Sequence, residues 1–315
     1  MVQTIELPAL DGRSPLGFLA SLGLLRVLDL AGVEPLRLSY SPASASALLH
    51  SPLVSVDEVT ERLEYLLSSS SPGAVMAGSD PRFPLPAGRH ADPMRRPRAE
   101  FRDLLAEMAS IDERTCREWM PSLFTDLAVD AQGRADLTPF CAPSGKQNLR
   151  TFFEKSFVAV RADPALIREA LTGWRRVDGF TGEYLDHRVL NSAADDPAER
   201  SVERGVPGAT WLATMAIPML RVTGDGERVQ ATLWYRASRR SFMIWPLCEQ
   251  PLDRSAIMVL IEHPSLVPAG DGPAVSSQSW PDLGVFAVYG AERQRVPGRN
   301  FAGVLALLPI AVASG

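Results

Sequence analysis

Cysteine is scarce in this chain, with three in 315 residues, at positions 116, 141 and 248. Their odd number and wide spacing exclude a disulfide framework and fit reduced thiols. No apolar run reaches the ~18 residues that a bilayer-spanning helix needs. The opening MVQTIELPAL has no basic segment followed by an apolar core, so no secretory leader is expected and the cytoplasm is the expected compartment. The histidines are His50, His90, His187 and His263, and none pairs with another at ligand spacing. HExxH, CxxC, paired-cysteine zinc spacings and GxSxG are all missing. No metal, cofactor or catalytic residue is therefore expected from a motif. Ser144-Gly145-Lys146 invites a phosphate-loop reading, which fails on spacing. Phe140 stands where the first glycine belongs, and Gln147 where Ser or Thr would follow the lysine. Positive charge is not in excess either. The net charge of −5 argues against a free-standing, non-specific nucleic-acid binder. One basic face remains compatible with it, because binding follows the local field.

The apolar pattern points to an α+β fold. VQTIEL reads as a strand, and Ser14-Pro15 as the start of a helix running to Leu30. Gly17 and Gly23 interrupt that helix and suggest close packing against another backbone. Leu36–Tyr40 reads as a strand, and 55–67 as an amphipathic helix with acids in its first turn. Helix resumes over 100–110 and from Glu113 to Pro121. The segment 178–222 pairs a long polar connection with the most continuous apolar stretch of the chain. Pro207-Gly208 open a helix there that is buried on most sides, and Pro218 ends or kinks it. Three extended runs follow, at 219–223, 229–235 and 241–246, forming an antiparallel meander. Ser255–His263 reads as a short helix, 285–289 as a strand and 301–310 as an apolar close. The division expected is an N-terminal strand/helix lobe over 1–135. It packs on a C-terminal lobe over 136–315 that holds the buried helix and the meander. One compact domain is the alternative.

Basic residues gather near 82–102, 146–161, 236–240 and 293–299, and most are arginines. Guanidinium forks match phosphate oxygens. Arg236, Arg239 and Arg240 mark one turn, and Arg293, Arg295 and Arg299 follow the late strand. If the fold brings these clusters to one face, an acidic protein acquires a nucleic-acid track. The competing reading is a solvated surface whose arginines pair with acids. Tyr184, Asp186, His187 and Arg188 are the one dense group with acid–base potential, so a hydrolase or nuclease using His187 and nearby carboxylates is the rival from another class. A scaffold that binds only protein is a third.

Two segments carry a resemblance. LPALDGRSPLGFLASLGLLRVL, residues 7–28, resembles the opening of type I-U (I-G) CRISPR-associated large-subunit-like proteins. EYLDHRVLNSAADDP, with the later GVPGATWLATMAIPML, resembles a second segment of theirs, and DPMR at 92–95 and PSGKQNLRTFF also fit. The resemblance implies a non-catalytic subunit of a Cascade-type complex in antiviral defence. Its partners would be CRISPR RNA, target DNA and the other subunits, with a helicase-nuclease recruited later. It also implies that Lys146, Asn148 and Arg150, together with Arg95, Arg96 and Arg98 near DPMR, lie on the nucleic-acid face. In such complexes the guide reads sequence by pairing, and protein reads shape and a short flanking motif.

Overall fold

The computed structural model describes residues 2–86, 92–141, 148–186, 188–189, 202–237, 240–268, 273–293, 307–310 and 313–314. Strand β1 (Gln3–Asp11) leads through a tight turn into helix α1 (Pro15–Leu30), then to β2 (Arg37–Tyr40) and β3 (Ser46–Ser51). These strands form an antiparallel sheet in the order β1-β3-β2. Helix α2 (Val56–Ser68) follows, capped by Ser55, whose side chain accepts from the Glu58 amide. Helices α3 (Phe101–Ile111) and α4 (Glu113–Leu123) are separate, because the Asp112 backbone is extended and its side chain caps α4. Pro121 sits inside the last turns of α4 without ending it. Hairpin β4 (Phe124–Val129) and β5 (Ala135–Leu137) comes next, then α5 (Leu149–Ala162) and α6 (Ala165–Thr172). A short ribbon pairs β6 (Val177–Asp178) with β7 (Arg204–Gly205), leading into α7 (Pro207–Met215). The remainder is β8 (Val222–Gly224), β9 (Val229–Ala231), β10 (Trp234–Ala237), β11 (Arg240–Cys248), α8 (Arg254–Ile261), β12 (Ala274–Val275), β13 (Val285–Arg293), β14 (Leu307–Ile310) and β15 (Ala313–Ser314). The large sheet is antiparallel, in the order β14-β13-β11-β10-β9-β8. The fold is α+β.

Every residue of α7 is buried. The helix packs against α1, α5 and α6. Its residues are apolar except Thr210 and Thr214, and those too are buried, so it is stable only when surrounded. A Cβ on Gly23 would stand 1.7 Å from the Leu212 carbonyl oxygen, so α1 and α7 meet backbone to backbone. Trp245 of β11 donates its indole N–H to the Gly12 carbonyl at 2.7 Å, tying the large sheet to the first turn of the chain. One hydrophobic cluster takes in residues from Ile5 to Ala291. Position 135, where the sequence suggests a lobe boundary, opens strand β5.

The extended run expected over 229–235 is two strands. Thr232 and Leu233 break it, and Leu233 adopts a left-handed backbone with φ of 64° while its side chain is buried. A branched-chain residue pays strain for that conformation, of order 1–3 kcal/mol. Cys116, Cys141 and Cys248 are free and buried. Burial pushes the Cys248 thiol up to about 11, so it stays protonated and unreactive. No helix among the described residues is long and apolar enough to cross a membrane.

Candidate nucleic-acid interface

The face of the large sheet that carries Trp234, Met243 and Ala291 is core. Side chains alternate faces along a strand, so Arg236, Ser241 and Arg293 continue that face two residues further on. Arg236 is paired with Ser241, and the step from the Phe242–Glu292 pair brings Arg293 alongside. There the apolar face runs out and a cleft of about 980 Å³ begins. Its second wall is the end of the sheet, where Arg221 precedes β8 and Arg228 sits beside the Asp225–Gly226 turn. Its third is the stretch that leaves β5, from Asp136 to Cys141, backed by Arg95.

Among the described residues, the sequence clusters at 82–102, 236–240 and 293–299 therefore each send one arginine to this cleft: Arg95, Arg236 and Arg293. Arg228 and Arg236 are exposed and have no ion-pair partner among the described residues. Arg221 pairs with Glu262 at 3.3 Å while remaining largely exposed. Arg95 is held from behind. Its Nη2 reaches Asp130 at 2.7 Å, and Asp130 is itself locked by Arg134 at 2.8 Å. Burial would raise the Asp130 carboxyl, but bonds from Arg134 and from backbone amides outweigh it and hold the group below its usual range. Asp136 goes the other way, and burial raises its pKa. Tyr235 points to the other face of the sheet, packed with Phe242, where burial pushes its hydroxyl up to about 12.

The other residues expected on this face are differently placed. Arg240 stands on the opposite face of the sheet, stacked over Phe242 at 4.8 Å and forked onto Glu292. Arg96 pairs with Glu107. Arg98 is exposed, with no ion-pair partner among the described residues, and is not part of the cleft lining. Asn148 caps α5 in a capping box with Thr151. Arg150 donates to the carbonyls of Pro81 at 2.8 Å, Pro84 at 2.9 Å and Gly73 at 2.6 Å, which makes it a clamp on the 73–84 segment. Lys146, Arg239, Arg295 and Arg299 lie outside the described residues. The sequence reading passed over Arg221, Arg228 and Thr138. A turn signal beside Arg228 was its one legible clue.

His187 also lies outside the described residues. Its neighbours are engaged. Asp186 is 2 % exposed and receives Arg176 at 2.6 Å, and Tyr184 donates to Glu203 at 2.8 Å. Gly182, Glu183 and Tyr184 all carry positive φ, and the buried Glu183 faces Lys155 at 3.5 Å. No group of histidine, cysteine and carboxylate side chains among the described residues could hold a metal. Set against known proteins, the chain matches no family model and no curated protein.

Proposed function

We propose that this chain is a non-catalytic subunit of a Cascade-type CRISPR interference complex, acting in the cytoplasm and binding guide RNA or target DNA through the arginine cleft. One observation carries the reading: arginines distant in sequence, at 95, 221, 228, 236 and 293, line a single concave surface of a protein whose net charge is −5. A local positive field of that kind draws a polyanion despite the overall charge. Binding of phosphates would release counterions and weaken with salt. Guanidinium groups suit the task, since they stay charged and fork onto phosphate oxygens. The acidic remainder would face solvent or basic partner subunits. Sequence would be read by the guide, with this chain holding backbone and shape.

The test is purification of the tagged protein from its host. Guide-length RNA and further subunits are expected to accompany it, and to leave together on nuclease treatment. Recovery of the protein alone, free of nucleic acid, would overturn the proposal. The buried Glu183 and the left-handed turn around it favour one rival, a hydrolase built on the 178–204 segment. A turnover abolished by His187→Ala in a correctly folded protein would establish that rival.

A further inference from the structure

Two buried polar groups that line the cleft have no hydrogen-bond partner among the described residues. Thr138 is 1 % exposed, and its hydroxyl has no hydrogen-bond partner among the described residues. The Nε–H of Arg95 is equally orphaned, although Nη2 of the same guanidinium is fixed on Asp130. Buried polar atoms are normally paired, and a lone one costs stability. Both residues line the cleft. Both can donate, and Nε can do nothing else. An acceptor that enters the cleft would supply the missing partner. A phosphate oxygen fits, because it only accepts and because Arg228, Arg236 and Arg293 line the same cleft and would balance its charge.

Resting on the reading of the cleft as a nucleic-acid interface, we propose that it receives a single strand rather than a duplex. Thr138 and Arg95 would hold one phosphate of that strand at the floor. A duplex carries its phosphates on a stiff cylinder and can reach only the rim arginines. Thr138 is 1 % exposed, so its hydroxyl is reached only when the side chains covering it part, and a flexible strand can then fold inward to it where a stiff duplex cannot. Asp136 also lines the cleft, and burial raises its pKa.

The experiment is fluorescence anisotropy on the full chain with labelled single-stranded RNA, single-stranded DNA and DNA duplex of one sequence and length, alongside thermal melts. Single strands are expected to bind more tightly than duplex, and the RNA and DNA arms show which backbone is preferred. Thr138→Val should weaken single-strand binding about ten-fold, the scale of one hydrogen bond to a charged group. It should leave duplex binding unchanged and raise the melting temperature of the free protein, since it removes an unpaired buried hydroxyl. Thr138→Ser should retain binding. A purely structural threonine would instead lower the melting temperature when replaced by valine. Equal affinity for duplex and single strand, or an unaltered Thr138→Val, overturns this inference and leaves the cleft reading standing. Failure of the wild-type chain to bind any of the three overturns both.

Discussion

Arg236 and Arg240 are four residues apart and belong to one basic cluster in the sequence, yet they serve opposite faces of a sheet. The two-residue period of a strand and the Arg236–Ser241 pairing decide this. Arg240 meets Glu292 in a two-pronged contact, which raises its pKa by hydrogen bonding and holds the Glu292 carboxyl below its usual range. Arg236 meets no acid among the described residues. Arg236→Ala is therefore expected to lower the slope of log binding constant against log salt by ~1, the share of a single phosphate contact. Arg240→Ala should leave that slope unchanged, since its guanidinium is already neutralised on the far side. Binding isotherms across a salt titration check both. Equal slopes for the two variants would detach the cleft from nucleic-acid binding. Arg150 and Asn148 teach a related lesson. Both stand beside the Ser-Gly-Lys run and resemble phosphate ligands in the sequence, but one bonds three carbonyls and the other caps a helix. Residue type announces the capacity to bind an anion, and only the neighbours tell whether that capacity is already spent.

At the level of elements, the contact between α1 and α7 sets the architecture. Glycine normally weakens a helix, and replacing it by alanine at an open position gains ~1 kcal/mol. Gly23 is not open, since its place is taken by the Leu212 carbonyl oxygen 1.7 Å from where a Cβ would sit. Gly23→Ala is expected to destabilise the protein by at least ~3 kcal/mol, because two packed helices would have to separate. The denaturant midpoint measures this. Gly173→Ala is the control: its backbone is extended and nothing lies within 4 Å, so a change within ~0.5 kcal/mol is expected. A Gly23→Ala protein as stable as the wild type would refute the close contact. The two glycines of α1 were readable as a sign of tight packing, but the partner backbone was not, since nearly two hundred residues separate the helices.

Over the whole molecule, a buried cation joins segments far apart in the chain. Arg26 of α1 is 1 % exposed and bonds Glu118 of α4 at 3.0 Å. It also donates to the Met215 carbonyl at the end of α7 at 3.3 Å and lies over the Trp119 ring at 4.9 Å. Arg254 of α8 bonds the same Glu118 at 3.1 Å and Asp29 of α1 at 2.9 Å. Burial alone would raise the Glu118 carboxyl, but Arg26 and Arg254 outweigh it and hold the group below its usual 4.5. A carboxylate whose folded pKa is depressed contributes stability above its unfolded pKa. That contribution fades as pH falls through the folded value. The wild-type melting temperature should thus drop below pH 4.5 with this carboxylate as a contributor. Glu118→Gln should lose ~3 kcal/mol at neutral pH by stranding the Arg26 charge, and its melting curve should be flatter across the acid range. Parallel acid limbs in the two proteins would remove Glu118 from that role.

By itself the sequence determined much of the elements and their kind: the amphipathic α2, the largely apolar α7, the strands around the Gly224–Gly226 turn, and the α+β class that follows from them. Such features depend on periodicity and turn chemistry within a few residues. Tertiary structure alone decided which arginines share a cleft, which are used up on carbonyls or carboxylates, and that the buried Thr138 hydroxyl beside them has no partner among the described residues. Those outcomes depend on strand register and on contacts between residues tens to hundreds of positions apart. A change of one residue in register would turn each side chain of a strand to the other face.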